Sequence, residues 1–467
     1  MRLRLDIAVL FAFSAAAFLL YIQIWAFSTT GADTLSLLGV REELSDLKSL
    51  LSAKILATTP EFLAGPYWRP LSNVFYWVAG GVRETWGLTP IFVFGFLMHC
   101  LFVLLGTILL TRLVPDIPWP VFASLIFVHP IAADILVAIA RYQDILGAIL
   151  AIAAGCILFT RQRLWLAIGL AASAPFFKEL YLVAPLAIAA AIFLDDVISR
   201  RPIRFSYVFA GIALAMLALS LRFVAGVELP GDGSMGGTLG FPAKKLAKTI
   251  LVLFVPTPYS YVSGLMAICA FAAAIYAYVR RRPSAANLIT PTGRLAALYL
   301  GFLFVGMFMV MIIVQQMPLR SAYLLVIPAI YLIALTLKWL VPSLAVRNSI
   351  TIGLAFLFTA NSAFVLHDWK TCDDVWKDLR STIEKAGPEP LKIQRTNIYY
   401  EKNYLSTDPS CFMPYTINPL ERDYSKVDVS SDMSGHVEIN DAAVEWDPEE
   451  RLISFTSRQR LTASSTD

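Results

Sequence analysis

Charge is scarce in this 467-residue sequence. Only 15% of its residues are Asp, Glu, Lys or Arg, against roughly 25% in a soluble globular domain. That excludes the three soluble domains its length would suggest at about 150 residues each, and it excludes intrinsic disorder. Cysteine is sparse as well. The 5 cysteines form no CxxC and no Cys/His cluster with metal-ligand spacing, so neither a zinc module nor a disulfide-stapled secreted domain is encoded. No Lys/Arg run is interleaved with aromatics, which excludes a nucleic-acid surface. The glycine-rich stretch Pro230–Gly237 is followed by no GKS/T and preceded by no strand, so it is not a phosphate loop. It reads as a loop within 227–249, either a lid or a plain linker. What the chain does have is apolar bulk. Hydrophobic residues make up 57% and mean hydropathy is +0.65, so most of it belongs in lipid.

A spanning helix needs about 20 apolar residues. Candidate spans fall at about 6–27, 88–111, 117–133, 143–160, 164–177, 180–195, 206–226, 250–279, 295–315, 322–341 and 349–366. These predict an all-α polytopic membrane protein with about 11 transmembrane helices. Val255-Pro-Thr-Pro258 interrupts the longest stretch and would raise the number to 12 or 13. The first span follows Met1-Arg-Leu-Arg4 without a clear cleavage site and is too long for a signal-peptide core, so it reads as retained.

The net charge of +4 averages two unlike regions. Residues 1–366 hold 26 basic and 15 acidic residues, whereas 367–467 hold 12 basic and 19 acidic ones. Arg2/Arg4, Arg112, Arg161/Arg163, Arg200/Arg201/Arg204, Arg280–Arg282, Arg294 and Lys338/Arg347 all fall on one side of an eleven-helix count. By the positive-inside rule that side is cytoplasmic, which places the tail outside. The chain thus divides into a transmembrane domain, 1–366, with a long first outer loop, 28–87, and an extracytoplasmic domain, 367–467. In the first loop Val40, Leu44, Leu47 and Leu51 recur at helical spacing, as in an amphipathic helix on the bilayer surface. The tail opens with a helix-like piece, Asp373–Lys385, and continues as short alternating segments, which predicts a small α+β domain. Its negative charge disfavours anchoring to anionic lipid; it could hold an acceptor or a partner, or cap the site. Cys100, Cys156 and Cys269 lie in apolar runs and read as packing residues. Cys372 and Cys411 lie in the polar tail and could pair in an oxidising compartment.

Ionisable residues beside apolar segments are costly to place and mark candidate sites. Five outward places carry them. Asp33 follows the first helix, as a general base or as a polar residue at a helix end. Arg69 sits in Tyr67-Trp-Arg-Pro-Leu71, as a bidentate phosphate partner or as an arginine snorkelling from an aromatic belt. His129-Pro-Ile-Ala-Ala-Asp134 precedes Arg141-Tyr-Gln-Asp144. There His129 could be structural, and Arg141 could pair with Asp144 at i, i+3. Phe176-Phe-Lys-Glu179 offers Lys178 and Glu179, as a phosphate contact or a loop tip among headgroups. Arg320 and Tyr323 open the tenth span in Pro318-Leu-Arg-Ser-Ala-Tyr323. Carboxylates and cations gathered on one outer face suit transfer from a lipid-linked phosphate to an acceptor hydroxyl.

In the same order along the chain, these motifs resemble those of the C-type (GT-C) membrane glycosyltransferases. Tyr67-Trp-Arg-Pro-Leu71 is similar to their Tyr/Phe-Arg-Pro-Leu. His129-Pro-x-x-x-Asp134 with Ala140-Arg-Tyr-Gln-Asp-Ile-Leu146 is similar to His-Pro-x-x-x-Glu…Gly-Arg-x-Asp-Leu-Leu. Phe177-Lys-Glu179 is similar to their Lys-Glu, and Leu319-Arg-Ser-Ala-Tyr-Leu324 to Glu-Arg-x-x-Tyr-x-Pro. His367-Asp-Trp-Lys-Thr-Cys-Asp-Asp-Val-Trp376 resembles a stretch after the last membrane helix of the transmembrane O-mannosyltransferases that bear tetratricopeptide repeats. This chain has no such repeat; Ala32 precedes Asp33 where many relatives have a second acid, and Asp134 stands in place of a Glu. The resemblance implies inverting transfer of a sugar from a polyprenyl-phosphate donor to a glycan, lipid or protein acceptor outside a bacterial inner membrane. It implies Asp33 as catalytic base, Asp134 as a second carboxylate, Lys178 and Arg320 on the donor phosphate, and Arg69 as organiser. One or two carboxylates could take Mg²⁺ or Mn²⁺ through waters, but no dedicated cage is readable. Two other classes fit the composition: a transporter or flippase of a lipid-linked sugar, which should show repeats and midplane charges, and an O-antigen polymerase or ligase, which carries one large late outer loop.

Overall fold

Helix dominates the computed structural model, which describes residues 2–27, 38, 41, 47–52, 68–160, 163–224, 253–254, 293–313, 319–341, 343–399, 410–412, 426–438 and 442–457. The helices are α1 (Arg2–Ile22), α2 (Leu47–Ser52), α3 (Pro70–Trp86), α4 (Thr89–Leu113), α5 (Trp119–Phe127), α6 (Pro130–Leu136), α7 (Tyr142–Leu158), α8 (Leu164–Ser173), α9 (Val183–Ile198), α10 (Phe205–Val224), α11 (Arg294–Ile313), α12 (Val326–Leu340) and α13 (Leu344–Lys385). Short 3-10 turns at Ile139–Arg141, Glu179–Leu182 and Leu319–Leu325 lead into α7, α9 and α12.

Seven helical stretches among the described residues are long and apolar enough to cross a membrane: Ile7–Ala26, Thr89–Leu113, Ile139–Leu158, Glu179–Ile198, Phe205–Arg222, Ala322–Trp339 and Ala345–Lys385. Counting one bent pair as a span gives eight. The chain is therefore a helical membrane protein, but the expected eleven spans are not met among the described residues. The hydropathy run 117–133 is broken by 49° between α5 and α6. The run 164–177 yields only the short apolar helix Leu164–Phe176, and of α11, in the run 295–315, the stretch counted as apolar helix is Arg294–Val310. The 250–279 run, the 227–249 loop and most of the first outer loop lie outside the described residues, α2 being the described end of the amphipathic segment.

Proline causes the break. Pro130 has no N–H and cannot continue the helix that carries residues 119–127, so carbonyls at the end of α5 are left without helical partners. Side chains from three other helices supply them. The Tyr21 hydroxyl donates to Phe127 O at 3.0 Å, His99 Nε2 lies 3.3 Å from the same oxygen, and the Ser362 hydroxyl donates to Val128 O at 3.0 Å. A carbonyl only accepts, so His99 carries its proton on Nε2, and its Nδ1 accepts from the Tyr323 hydroxyl at 2.7 Å. Broken helices persist at membrane depth only when neighbours satisfy the freed groups in this way.

Small residues let the bundle close. A methyl group added at Gly147 on α7 would run into the Tyr181 ring, and one at Gly95 on α4 into the Tyr142 ring. Such close approach is the usual basis of helix packing in membranes. Gly147→Val should therefore displace Tyr181, whose hydroxyl donates to Asp144 O at 2.7 Å. Overpacking of this kind costs about 1–3 kcal/mol, and a lowered melting temperature in detergent would show it.

The expected tail helix, Asp373–Lys385, is not separate. It is the end of α13, which at 42 residues is about 63 Å long, about twice the ~30 Å hydrocarbon core. After residue 366 hydropathy falls but the helix continues. Trp369, Cys372, Val375, Trp376, Leu379 and Ile383 are buried at helical spacing, and the helix packs against the sheet beyond it. That sheet contains β1 (Leu391–Tyr399), β2 (Ser410–Phe412), β3 (Val427–Glu438), β4 (Ala442–Asp447) and β5 (Leu452–Ser457). β1 is central, parallel to β3 and β5 and antiparallel to β2; β4 and β5 form an antiparallel pair. The Lys426 ammonium donates to Ile383 O at 2.7 Å and the Arg451 guanidinium to Ala386 O at 3.2 Å, tying the sheet to the helix end. Cys372 is disulfide-bonded, whereas Cys100 and Cys156 are free.

Candidate functional site

Charged side chains collect at the two ends of α9. At its C-terminal end Asp195 and Asp196 are fully buried. The Arg204 guanidinium reaches Asp196 at 2.8 Å, and Arg294 Nε reaches Asp195 at 2.8 Å. Arg204 and Arg294, expected as topology anchors, thus also clamp α9, α10 and α11 together. The other end, about 25 Å away by helical rise, carries the mixed-sign cluster expected from the motifs.

Arg69 is fixed there because Pro70 sits at the first position of α3, where its missing N–H costs nothing. Two hydroxyls of α3 hold the helix against its neighbours: Ser72 donates to Phe177 O at 2.7 Å and Tyr76 to Ala140 O at 2.7 Å. The Arg69 guanidinium then forks onto Glu179, Nε to Oε2 at 2.8 Å and Nη2 to Oε1 at 2.5 Å, with Nη1 at 3.2 Å from Gln143 Oε1. Such planar fork-to-fork pairing orients both groups. It replaces the picture of Arg69 snorkelling among headgroups.

Lys178 is only 7% exposed, so it is not a loop tip among headgroups. Its ammonium lies 2.7 Å from Asp144 Oδ1. Burial pulls its pKa below the ordinary lysine range, and the Asp144 carboxylate pushes back. Asp144 therefore does not pair with Arg141 at i, i+3. Arg141 turns instead to Asp134, its Nη1 lying 2.6 Å from both the backbone oxygen and Oδ1. Trp369 of α13 completes this group. Its indole N–H donates to Asp134 Oδ1 at 3.3 Å, and its ring lies 5.0 Å from the Arg141 guanidinium carbon. Oδ2 of Asp134, in a residue 1% exposed, has no hydrogen-bond partner among the described residues.

The structure thus brings Arg69, Asp134, Arg141, Lys178 and Glu179 to one end of the bundle. His129 and Tyr323 do other things. His129 caps α6, its Nδ1 accepting from Ile131 N–H at 3.4 Å while Nε2 lies 3.3 Å from Leu253 O. Tyr323 bonds His99 and stacks on Phe102 with centroids 4.4 Å apart. Asp33 and Tyr67 lie outside the described residues, and of Arg320 only the backbone, in the 3-10 turn Leu319–Leu325, is described. Among the described residues no three His, Cys, Asp or Glu side chains stand close enough to hold a metal ion.

Three participants escaped sequence reading. Gln143 looks like an ordinary helix-start residue. His99 and Arg222 lie inside apolar runs, and an ionisable residue in such a run was the signal available. Arg222, in the last turn of α10, donates to Pro175 O at 2.8 Å and lies 3.5 Å from Glu179 Oε2. The chain matches no protein-family model and no curated protein sequence.

Proposed function

We propose that this chain is an inverting membrane glycosyltransferase that moves a sugar from a polyprenyl-phosphate donor to an acceptor hydroxyl on a glycan, lipid or protein. One observation carries the reading. Cations and carboxylates from the start of α3, from α6, α7 and α10 and from the Lys178-Glu179 segment, with the Trp369 indole of α13, gather in a largely buried group at one end of the bundle. It lies at the end of the bundle opposite the arginines that the positive-inside rule assigns to the cytoplasm. The disulfide on Cys372 supports an oxidising, extracytoplasmic setting for that end, as on the outer side of a bacterial inner membrane.

In this reading Asp33 accepts the proton of the acceptor hydroxyl. The oxygen attacks C1 of the sugar from the face opposite the phosphate. The C1–O bond breaks, its electron pair leaves on polyprenyl phosphate, and the configuration at C1 inverts. Lys178, joined by Arg320 on the family pattern, offsets the charge developing on the leaving phosphate, where fixed cations in a water-poor site act most strongly. Arg69 holds Glu179 and, through Gln143, the start of α7.

The test uses the purified protein in proteoliposomes with polyprenyl-phosphate sugars labelled in the sugar. Release of polyprenyl phosphate in step with label appearing in acceptor is the expected result. Movement of intact donor across the bilayer without transfer would identify a flippase instead.

A further inference from the structure

We infer that Arg222 is a phosphate-binding residue of the donor site, one that no motif in the sequence marks; this rests on the transferase reading above. The geometry of Glu179 carries the inference. Arg69 already takes both of its oxygens in a planar fork, at 2.8 and 2.5 Å. Arg222 Nη1 reaches the shared oxygen Oε2 only at 3.5 Å, the outer limit of a hydrogen bond. Its Nη2 is held at 2.8 Å by Pro175 O, a neutral group. Glu179 thus meets two guanidiniums, and at 3.5 Å it offsets the charge of Arg222 less fully than that of Arg69.

That is an expensive arrangement for structure alone. Arg222 is 8% exposed at the end of a helix that is otherwise apolar, and burying a charge costs several kcal/mol unless an opposite charge meets it. An anion arriving beside Glu179 would meet it. A sugar phosphodiester carries one negative charge. The departing monoester carries close to two, since its second pKa is about 6. A guanidinium already placed there binds the product-like charge more strongly than the ground state, which is the condition for lowering a barrier. The cation beside it is Arg69, which forks onto the same carboxylate.

Removing Arg222 leaves Glu179 with its Arg69 fork, so the fold should survive. The probe is a polyprenyl monophosphate titrated into the full-length protein in nanodiscs, read by thermal stabilisation alongside donor and acceptor KM. The parent should be stabilised. Arg222→Gln and Arg222→Leu should bind the probe at least tenfold more weakly, lower kcat and raise donor KM, without changing acceptor KM. Arg222→Lys should fall between, keeping a point charge but not the fork. A well-folded Gln or Leu variant that binds the probe and the donor like the parent overturns the role of Arg222 alone. A parent that neither transfers sugar nor binds the probe overturns the transferase reading, and the inference with it.

Discussion

Changing Lys178 to Met together with Asp144 to Leu should give a protein that folds about as well as the parent and transfers no sugar. Either substitution alone should cost about 3–5 kcal/mol, because it breaks a buried ion pair. The ammonium and carboxylate are 2.7 Å apart and only 7% and 1% exposed. At that depth water cannot take over the role of the missing partner. Replacing both by apolar groups of similar volume removes the desolvation cost along with the attraction, which is why such double exchanges are often neutral or stabilising. The backbone oxygen of Asp144 still receives the Tyr181 hydroxyl, so the start of α7 keeps its anchor. Thermal midpoints of the three variants, measured beside transfer rates, separate two roles for Lys178. A pair that only braces the bundle predicts recovery of both stability and transfer in the double variant. A lysine that meets the donor phosphate predicts recovery of stability alone.

Much of this site was legible before the fold, and the reason is chemical. Charge is so unwelcome beside apolar helices that Arg69, Asp134, Arg141, Lys178 and Glu179 stand out by type and position. Who pairs with whom was not legible. Arg69 and Glu179 are 110 positions apart, and Trp369 and Asp134 are 235 apart. Local spacing suggested Arg141 with Asp144, yet the helix break at Pro130 swings α6 so that Asp134 reaches Arg141 first. The same break accounts for one of the expected spans, since hydropathy averages over residues 117–133 and does not register a missing N–H. Hydropathy also ends at 366 where α13 does not, because from there the helix buries one face against the sheet, a period-3.6 signal that a mean cannot register. Arg222 was diluted by the apolar run around it.

Asp33 and Asp134 should respond differently to the same change, and the contrast tests which of them is the base. Asp33→Asn should lower transfer by about 10²–10⁴-fold, the usual worth of a positioned general base, with no change in melting temperature. Asp134→Asn should fail on both counts. It puts a neutral amide where the Arg141 guanidinium has a carboxylate at 2.6 Å, and breaking a buried ion pair of this kind costs about 3–5 kcal/mol. Adding Arg141→Leu to Asp134→Asn should restore the fold, and the transfer rate of that double variant then isolates what the Asp134 carboxylate does chemically. Should Asp33→Asn transfer sugar at the parental rate, the base is not Asp33. Among the described residues the carboxylate oxygen then in question is Asp134 Oδ2, which is buried, held in place through its twin oxygen by Arg141 and Trp369, and itself without a hydrogen-bond partner there. In that event the refolded double variant should be inactive. If it too transfers sugar, neither carboxylate is the base.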